Sequence, residues 1–153
     1  MIRTDKRLRL CKIALVLILA FIWGNSLLPA TSSMSFSEWV RTLLTNSTPI
    51  SYGETNWKSA LIRKLAHFSE FGALGFFMAW HHGMLGKGMR SAFGLCVAAA
   101  CIDETIQFFI PGRAMGLYDV AIDSLGAAAG ILLMYFGHTY LKKRSTKLNL
   151  EDK

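Results

Sequence analysis

Ile13-Ala-Leu-Val-Leu-Ile-Leu-Ala-Phe-Ile-Trp23 carries no polar side-chain atom except the indole N–H of Trp23. The apolar run around it, residues 11–28, approaches the roughly 20 residues that a helix needs to cross hydrocarbon. Working outward, three further runs have that length and character: 65–85, 92–109 and 117–141. Each of these is interrupted by ionisable groups. Over the 153 residues, 52% are apolar, and the polar residues are gathered between the runs instead of spread along them. This segregation predicts an all-α fold, an integral membrane bundle of four transmembrane helices. The competing reading, a buried helical core in a soluble protein, fits the hydropathy less well.

The formal charge of +7 has a location that explains it. Arg3, Lys6, Arg7, Arg9 and Lys12 precede the first run, Lys87 and Arg90 separate the second from the third, and Lys142, Lys143, Arg144, Lys147 and Lys153 follow the last. In a four-span arrangement these twelve of seventeen cations share one side, with Arg41, Lys58, Arg63, Lys64 and Arg113 on the other. The cytoplasmic excess of Lys and Arg then predicts a multi-pass protein of the cell membrane with both termini inside. The expected organisation is a cytoplasmic basic N-terminus over 1–12, a four-helix membrane domain over 13–141 with an outer loop at 29–63, and a cytoplasmic basic tail over 142–153. Attraction of the tails to anionic lipid is a secondary consequence. No basic stripe interleaves with aromatics, which argues against nucleic acid as a partner. The first run could alternatively be a cleaved secretory signal, but Leu28-Pro29-Ala30 is a poor cleavage site and the run is long for a signal, so an uncleaved signal anchor is expected.

Within the outer loop, Ser35-Phe-Ser-Glu38 fits a capping box. Trp39, Val40, Leu43 and Leu44 then recur at helical spacing, which predicts a short amphipathic helix lying on the outer leaflet or packed over the bundle mouth. Pro49 and Gly53 mark the loop beyond it, and Asn46-Ser-Thr48 is a glycosylation sequon only in a eukaryotic cell. Cys11, Cys96 and Cys101 lie in apolar surroundings without metal-site spacing and read as small apolar fillers.

Glu70, Asp103, Glu104 and Asp123 fall inside the apolar runs, and Asp119 sits at the mouth of one. An ionised carboxylate in hydrocarbon costs several kcal/mol unless it is paired or wetted. Helical arithmetic places Arg63, His67 and Glu70 in one stripe continued by Leu74. Asp103, Glu104 and Gln107 share a second face, which Pro111-Gly112 terminates. Asp119, Asp123, Gly126 and Gly130 form a third column, polar at one end and small at the other, whose Gly126-x-x-x-Gly130 reads as a helix-packing face. All three stripes fall in the outer half of the four-span arrangement, so they are expected to converge.

A converged site has two chemistries. Clustered carboxylates hold a divalent cation through oxygen, and the candidates are Asp103, Glu104 and Asp119. Arg63, Lys64 and Arg113 grip a phosphate or carboxylate, Arg113 by bidentate contact. His67 and Glu70 are candidate acid–base groups, and Gln107, Glu104, Asp119 and Asp123 complete the candidate ligand-binding set. A membrane lipid, a polyprenyl phosphate or phospholipid whose head enters the site while its tail stays in the bilayer, satisfies both chemistries. The bland alternative is an ion-pair network that only holds the bundle together. No nucleophile elbow, HExxH or phosphate-cradling glycine loop is present.

The ordered motifs Arg63-Lys64-x-x-His67-Phe-x-Glu70-Phe-x-x-Leu74-Gly75, Asp103-Glu104-x-x-Gln107-x-Phe-x-Pro111-Gly-Arg113 and Asp119-x-x-x-Asp123-x-x-Gly126-x-x-x-Gly130, with Trp23-Gly-Asn-Ser26 before them, span roughly residues 20 to 140. In these residues the chain resembles the VanZ-like family of small bacterial membrane proteins. The resemblance implies a multi-span protein of the bacterial cell envelope. It also implies a link to the glycopeptide teicoplanin, because the founding member is associated with resistance to that antibiotic. Members vary between Tyr and Glu at position 70 and between Asn and Asp at position 123, so this chain carries the more acidic choice at both. Three functions fit: binding of a lipid or cell-wall precursor head group, a metal-assisted hydrolase or transferase acting on a lipid phosphate, and a structural membrane scaffold.

Overall fold

The computed structural model describes residues 2–45, 57–113 and 115–151. Asn46-Ser-Thr48, Pro49 and Gly53 lie outside the described residues. The described chain is helical throughout, apart from short connections: α1 Ile2–Ser26, α2 Ala30–Thr45, α3 Trp57–Met84, α4 Met89–Phe108 and α5 Leu117–Glu151.

Of the four expected spans, three lie in helices long and apolar enough to cross a membrane, within Asp5–Ser26, Met89–Phe108 and Leu117–Arg144. The exception is α3. It has the length, 28 residues or about 42 Å, but Lys58, Arg63, Lys64, His67 and Glu70 in its first half and His81 and His82 in its last turn lower its hydropathy. It also begins eight residues before the expected boundary at 65, because hydropathy marks where apolar residues start and a helix propagates past that point. For the same reason the basic segments at both ends continue α1 and α5 as helix.

The capping-box expectation for α2 is corrected. The helix starts at Ala30, where the Pro29 carbonyl accepts the Ser32 N–H at 3.0 Å, and proline suits the opening of a helix. Ser35 lies well inside, its hydroxyl donating to the Thr31 carbonyl at 2.9 Å. Trp39 and Leu43 are exposed, whereas Arg41 is buried. At the other end of the bundle, Gly86 closes α3 at φ 65°, with the Lys87 N–H returning to the His82 carbonyl at 2.9 Å, a Schellman-like stop that needs glycine.

α3 is the centre of the bundle and packs against each of the other four helices, most extensively α5. The Gly126–Gly130 column is where those two meet. A Cβ added to Gly126 would overlap the Phe68 carbonyl oxygen, one on Gly130 would overlap that of Gly72, and one on Gly75 would overlap that of Ala127. The backbones are therefore in direct contact, the arrangement small residues permit. The core beside them contains Cys11, Ile22, Phe71, Leu74, Cys96, Ala99, Ala100 and Ala127. Leu17, Phe21, Leu125, Leu133 and Phe136 point outward and are largely exposed. Large apolar residues thus cover the perimeter, an extent of exposed apolar surface that water-soluble proteins rarely carry. Cys11 and Cys96 are buried and reduced, and Cys101 is reduced on the perimeter.

Candidate functional site

Chain direction alternates through α1, α3, α4 and α5 in such a way that four polar segments meet at one end of the bundle: the C-terminal turns of α1 and α4, and the N-terminal halves of α3 and α5. Hydrogen bonds tie these segments together. Asn25 Nδ2 donates to Glu70 Oε1 at 3.4 Å, linking α1 to α3. Gln107 Nε2 donates to Ser26 Oγ at 3.2 Å and to Asp103 Oδ2 at 2.7 Å, linking α1 to α4. Glu104 Oε2 accepts the Gly116 N–H at 2.8 Å, fastening the α4–α5 connection. Lys64 Nζ meets Asp119 Oδ1 at 3.1 Å and lies over the Tyr118 ring, 4.4 Å from its centroid.

The α4–α5 connection is shaped for this purpose. Gly112 has φ 77°, a left-handed conformation that favours glycine, and a Cβ there would press on Ala30 at 3.2 Å. The turn carries Arg113 back toward the bundle, where its Nη2 donates to the Asn25 carbonyl at 3.4 Å. Burial, followed by the nearby Arg63, pulls Arg113 below the ordinary arginine range, yet a guanidinium keeps its charge throughout the physiological range.

Asp103, Glu104 and Asp123 are at most 1% exposed, and Gln107 is also buried. Within this end of the bundle, four buried polar atoms have no hydrogen-bond partner among the described residues: His67 Nδ1, Glu70 Oε2, Asp103 Oδ1 and Asp123 Oδ2. Each such group ordinarily costs about 1–3 kcal/mol. They lie on three helices, His67 and Glu70 on α3, Asp103 on α4 and Asp123 on α5. Ligand atoms of His67, Asp103 and Asp123 lie within 4.8 Å of one another.

A cavity of about 320 Å³ opens beside this group, lined by Arg63, Lys64, His67, Glu104, Gln107, Gly112, Arg113, Asp119, Ile122 and Asp123. Eight of the nine residues expected to bind ligand therefore line one space. Glu70 is the exception, turned behind it toward Asn25. A second, more open depression of about 500 Å³ is lined by Phe108, Met115 and Leu117 together with Arg113. Arg113 thus faces both a polar cavity and an apolar surface.

The sequence nominates Asp103, Glu104 and Asp119 as metal candidates. Among the described residues, the group close enough to share one ion is His67, Asp103 and Asp123. Glu104 is committed to the Gly116 amide and Asp119 to Lys64. Two further participants, Asn25 and Ser26, were read only as part of a motif. Their signal was the small polar pair closing an otherwise apolar run.

A family model described as VanZ/LLP1 matches residues 12–138. Comparison with curated proteins and with solved structures gives no match. The matched region contains the cavity, the carboxylates behind it and the glycine contact that sets their spacing, and by that match the chain belongs to the VanZ-like family.

Proposed function

We propose that this protein is a multi-pass protein of the bacterial cell membrane that binds the phosphate-bearing head group of a lipid or lipid-linked cell-wall precursor at its outer-leaflet end. In this reading α3 is the fourth span. Of its ionisable residues, Arg63, Lys64 and His67 line the cavity and Glu70 meets Asn25 of α1, and membrane-embedded charges usually turn inward or to a wet cavity in this way. Both termini are cytoplasmic, as the Lys and Arg distribution predicts, and α2 lies along the outer leaflet with exposed Trp39 and Leu43 toward lipid. The carrying observation is the double exposure of Arg113, shared between the polar cavity and the apolar depression. An amphiphile straddling that residue would place its phosphate against Arg113 and Arg63 and its tail along Phe108, Met115 and Leu117. A guanidinium fork matches phosphate oxygens bidentately.

Native mass spectrometry of protein extracted with its own lipids tests this reading. The wild type is expected to retain a phospholipid or polyprenyl phosphate that Arg113→Ala loses. Equal lipid profiles in the two proteins would refute it. An influence on teicoplanin-type glycopeptide susceptibility then follows from occupancy of the precursor head group, and should disappear in the same variant.

A second reading, a metal-assisted hydrolase or transferase acting on a lipid phosphate, is favoured by the proximity of His67 to two buried carboxylates. It requires turnover that a chelator stops. A pure scaffold, by contrast, predicts that Arg113→Ala changes stability alone.

A further inference from the structure

We infer that His67, Asp103 and Asp123 bind one divalent transition-metal ion, with Zn²⁺ and Mn²⁺ the best matches to the donor set. Proximity of acids alone does not carry this inference. Asp103 is 0% and Asp123 1% exposed, each carries a carboxylate oxygen with no partner among the described residues, Oδ1 and Oδ2 respectively, and one donor atom from each lies within 4.8 Å of the other and of a His67 ring nitrogen. Two carboxylates held this close in a low-dielectric interior repel unless a proton or cation lies between them. Among the described residues, neither oxygen has a side-chain cation bonded to it: Lys64 is engaged by Asp119 and Arg113 by the Asn25 carbonyl. A dication would neutralise both acids and engage the one donor atom that each of the three residues offers.

Asp103 has the kind of hydrogen-bonded support that metal ligands use. Ligating carboxylates are themselves hydrogen-bonded, which fixes the direction of the free oxygen. Asp103 is held this way by Gln107 at 2.7 Å, and Gln107 is anchored in turn by Ser26. The donor set is one imidazole nitrogen and two carboxylates. That is too few oxygens for calcium, which takes 6–8, and a nitrogen ligand suits zinc and its transition-metal neighbours. Three protein ligands leave a coordination position open. His67 and Asp123 also line the 320 Å³ cavity that holds Arg63 and Arg113, so an ion bound by them would sit beside that space. This inference is independent of the lipid reading, because the ion is bound by the chain alone.

The test is elemental analysis of full-length protein purified in detergent without chelator, together with Zn²⁺ and Mn²⁺ titrations followed by thermal shift. The expected result is about one ion per chain, removed by chelator and restored on titration. Asp123→Asn and His67→Gln are each expected to abolish binding. Gln107→Leu is expected to weaken it by roughly ten- to a hundredfold, whereas Asp119→Asn retains the ion. Absence of bound metal together with no Zn²⁺ or Mn²⁺ response in the wild type would overturn the assignment, as would an ion retained equally in Asp123→Asn and His67→Gln. Should both variants fail to fold, Co²⁺ titration of the wild type reads the site directly. Visible d–d bands displaced by Zn²⁺ support it, and a featureless spectrum sinks it.

Discussion

Replacing Gly130 by alanine should destabilise the bundle, while the same replacement at Gly137, two helical turns further along α5, should not. A Cβ on Gly130 would overlap the Gly72 carbonyl oxygen and stand 2.8 Å from both the Gly72 carbonyl carbon and the Phe76 nitrogen. These are backbone atoms of a packed helix and cannot rotate away as a side chain would. Restoring ordinary contact requires α5 to withdraw from α3 by about an ångström, and overpacking of this kind costs about 1–3 kcal/mol. Gly126→Ala meets the Phe68 carbonyl in the same way and should behave alike. At Gly137 and at Gly94 of α4, an added Cβ meets nothing within 4 Å. There alanine removes only the backbone freedom of a mid-helix glycine, a gain of about 0.5–1 kcal/mol. For a chain of this length, a kcal/mol corresponds to about 2–4 °C in melting temperature. Thermal unfolding of the four variants in one detergent should therefore separate them by sign, with Gly126→Ala and Gly130→Ala melting lower than wild type and Gly94→Ala and Gly137→Ala unchanged or higher. Shifts of one sign and similar size at all four positions would refute the claim that the two backbones touch.

Lys64→Met should change stability by less than about 1 kcal/mol, since the Lys64–Asp119 pair is more than one-third exposed on both sides and screened pairs contribute little; a large loss of melting temperature would place that pair in a far drier setting. Ser26→Ala should cost about 1–3 kcal/mol, because it removes the hydroxyl that accepts from buried Gln107 and leaves that amide donor short of a partner. Chemical denaturation of Ser26→Ala beside Ser35→Ala, whose hydroxyl is exposed, reads the difference, and equal effects would contradict it.

The features legible in the sequence were those that depend on one helix at a time. The stripe Arg63–His67–Glu70, the face Asp103–Glu104–Gln107 and the column Asp119–Asp123–Gly126–Gly130 are consequences of 3.6-residue periodicity, and each recurs in the structure as a single face. The length and helicity of the apolar runs were equally accessible. Helix limits were not, because residue polarity tracks the preferred solvent and hydrogen bonding continues beyond it. Hence α3 reaches back to Trp57 and α2 begins at Pro29–Ala30 instead of at a capping box inside the helix.

Which acid stands beside which is a property of helix pairing, which periodicity along a single helix does not supply. Asp119 and Asp123 occupy one face and are equivalent by periodicity. The decision between them lies in the depth at which α5 crosses α3. Gly126 against Phe68 and Gly130 against Gly72 fix that register, so Asp123 comes level with His67 while Asp119 stays at the rim within reach of Lys64. The glycines are thus part of the site's specification although none carries a donor atom to it. If the close contact sets the register, Gly126→Ala should reduce metal uptake at temperatures where the protein remains folded, because the withdrawal that relieves the Phe68 clash also separates His67 from Asp123. Full uptake by a folded Gly126→Ala protein would show that the trio is positioned by its own hydrogen bonds alone, with Gln107 and Ser26 as the supporting pair.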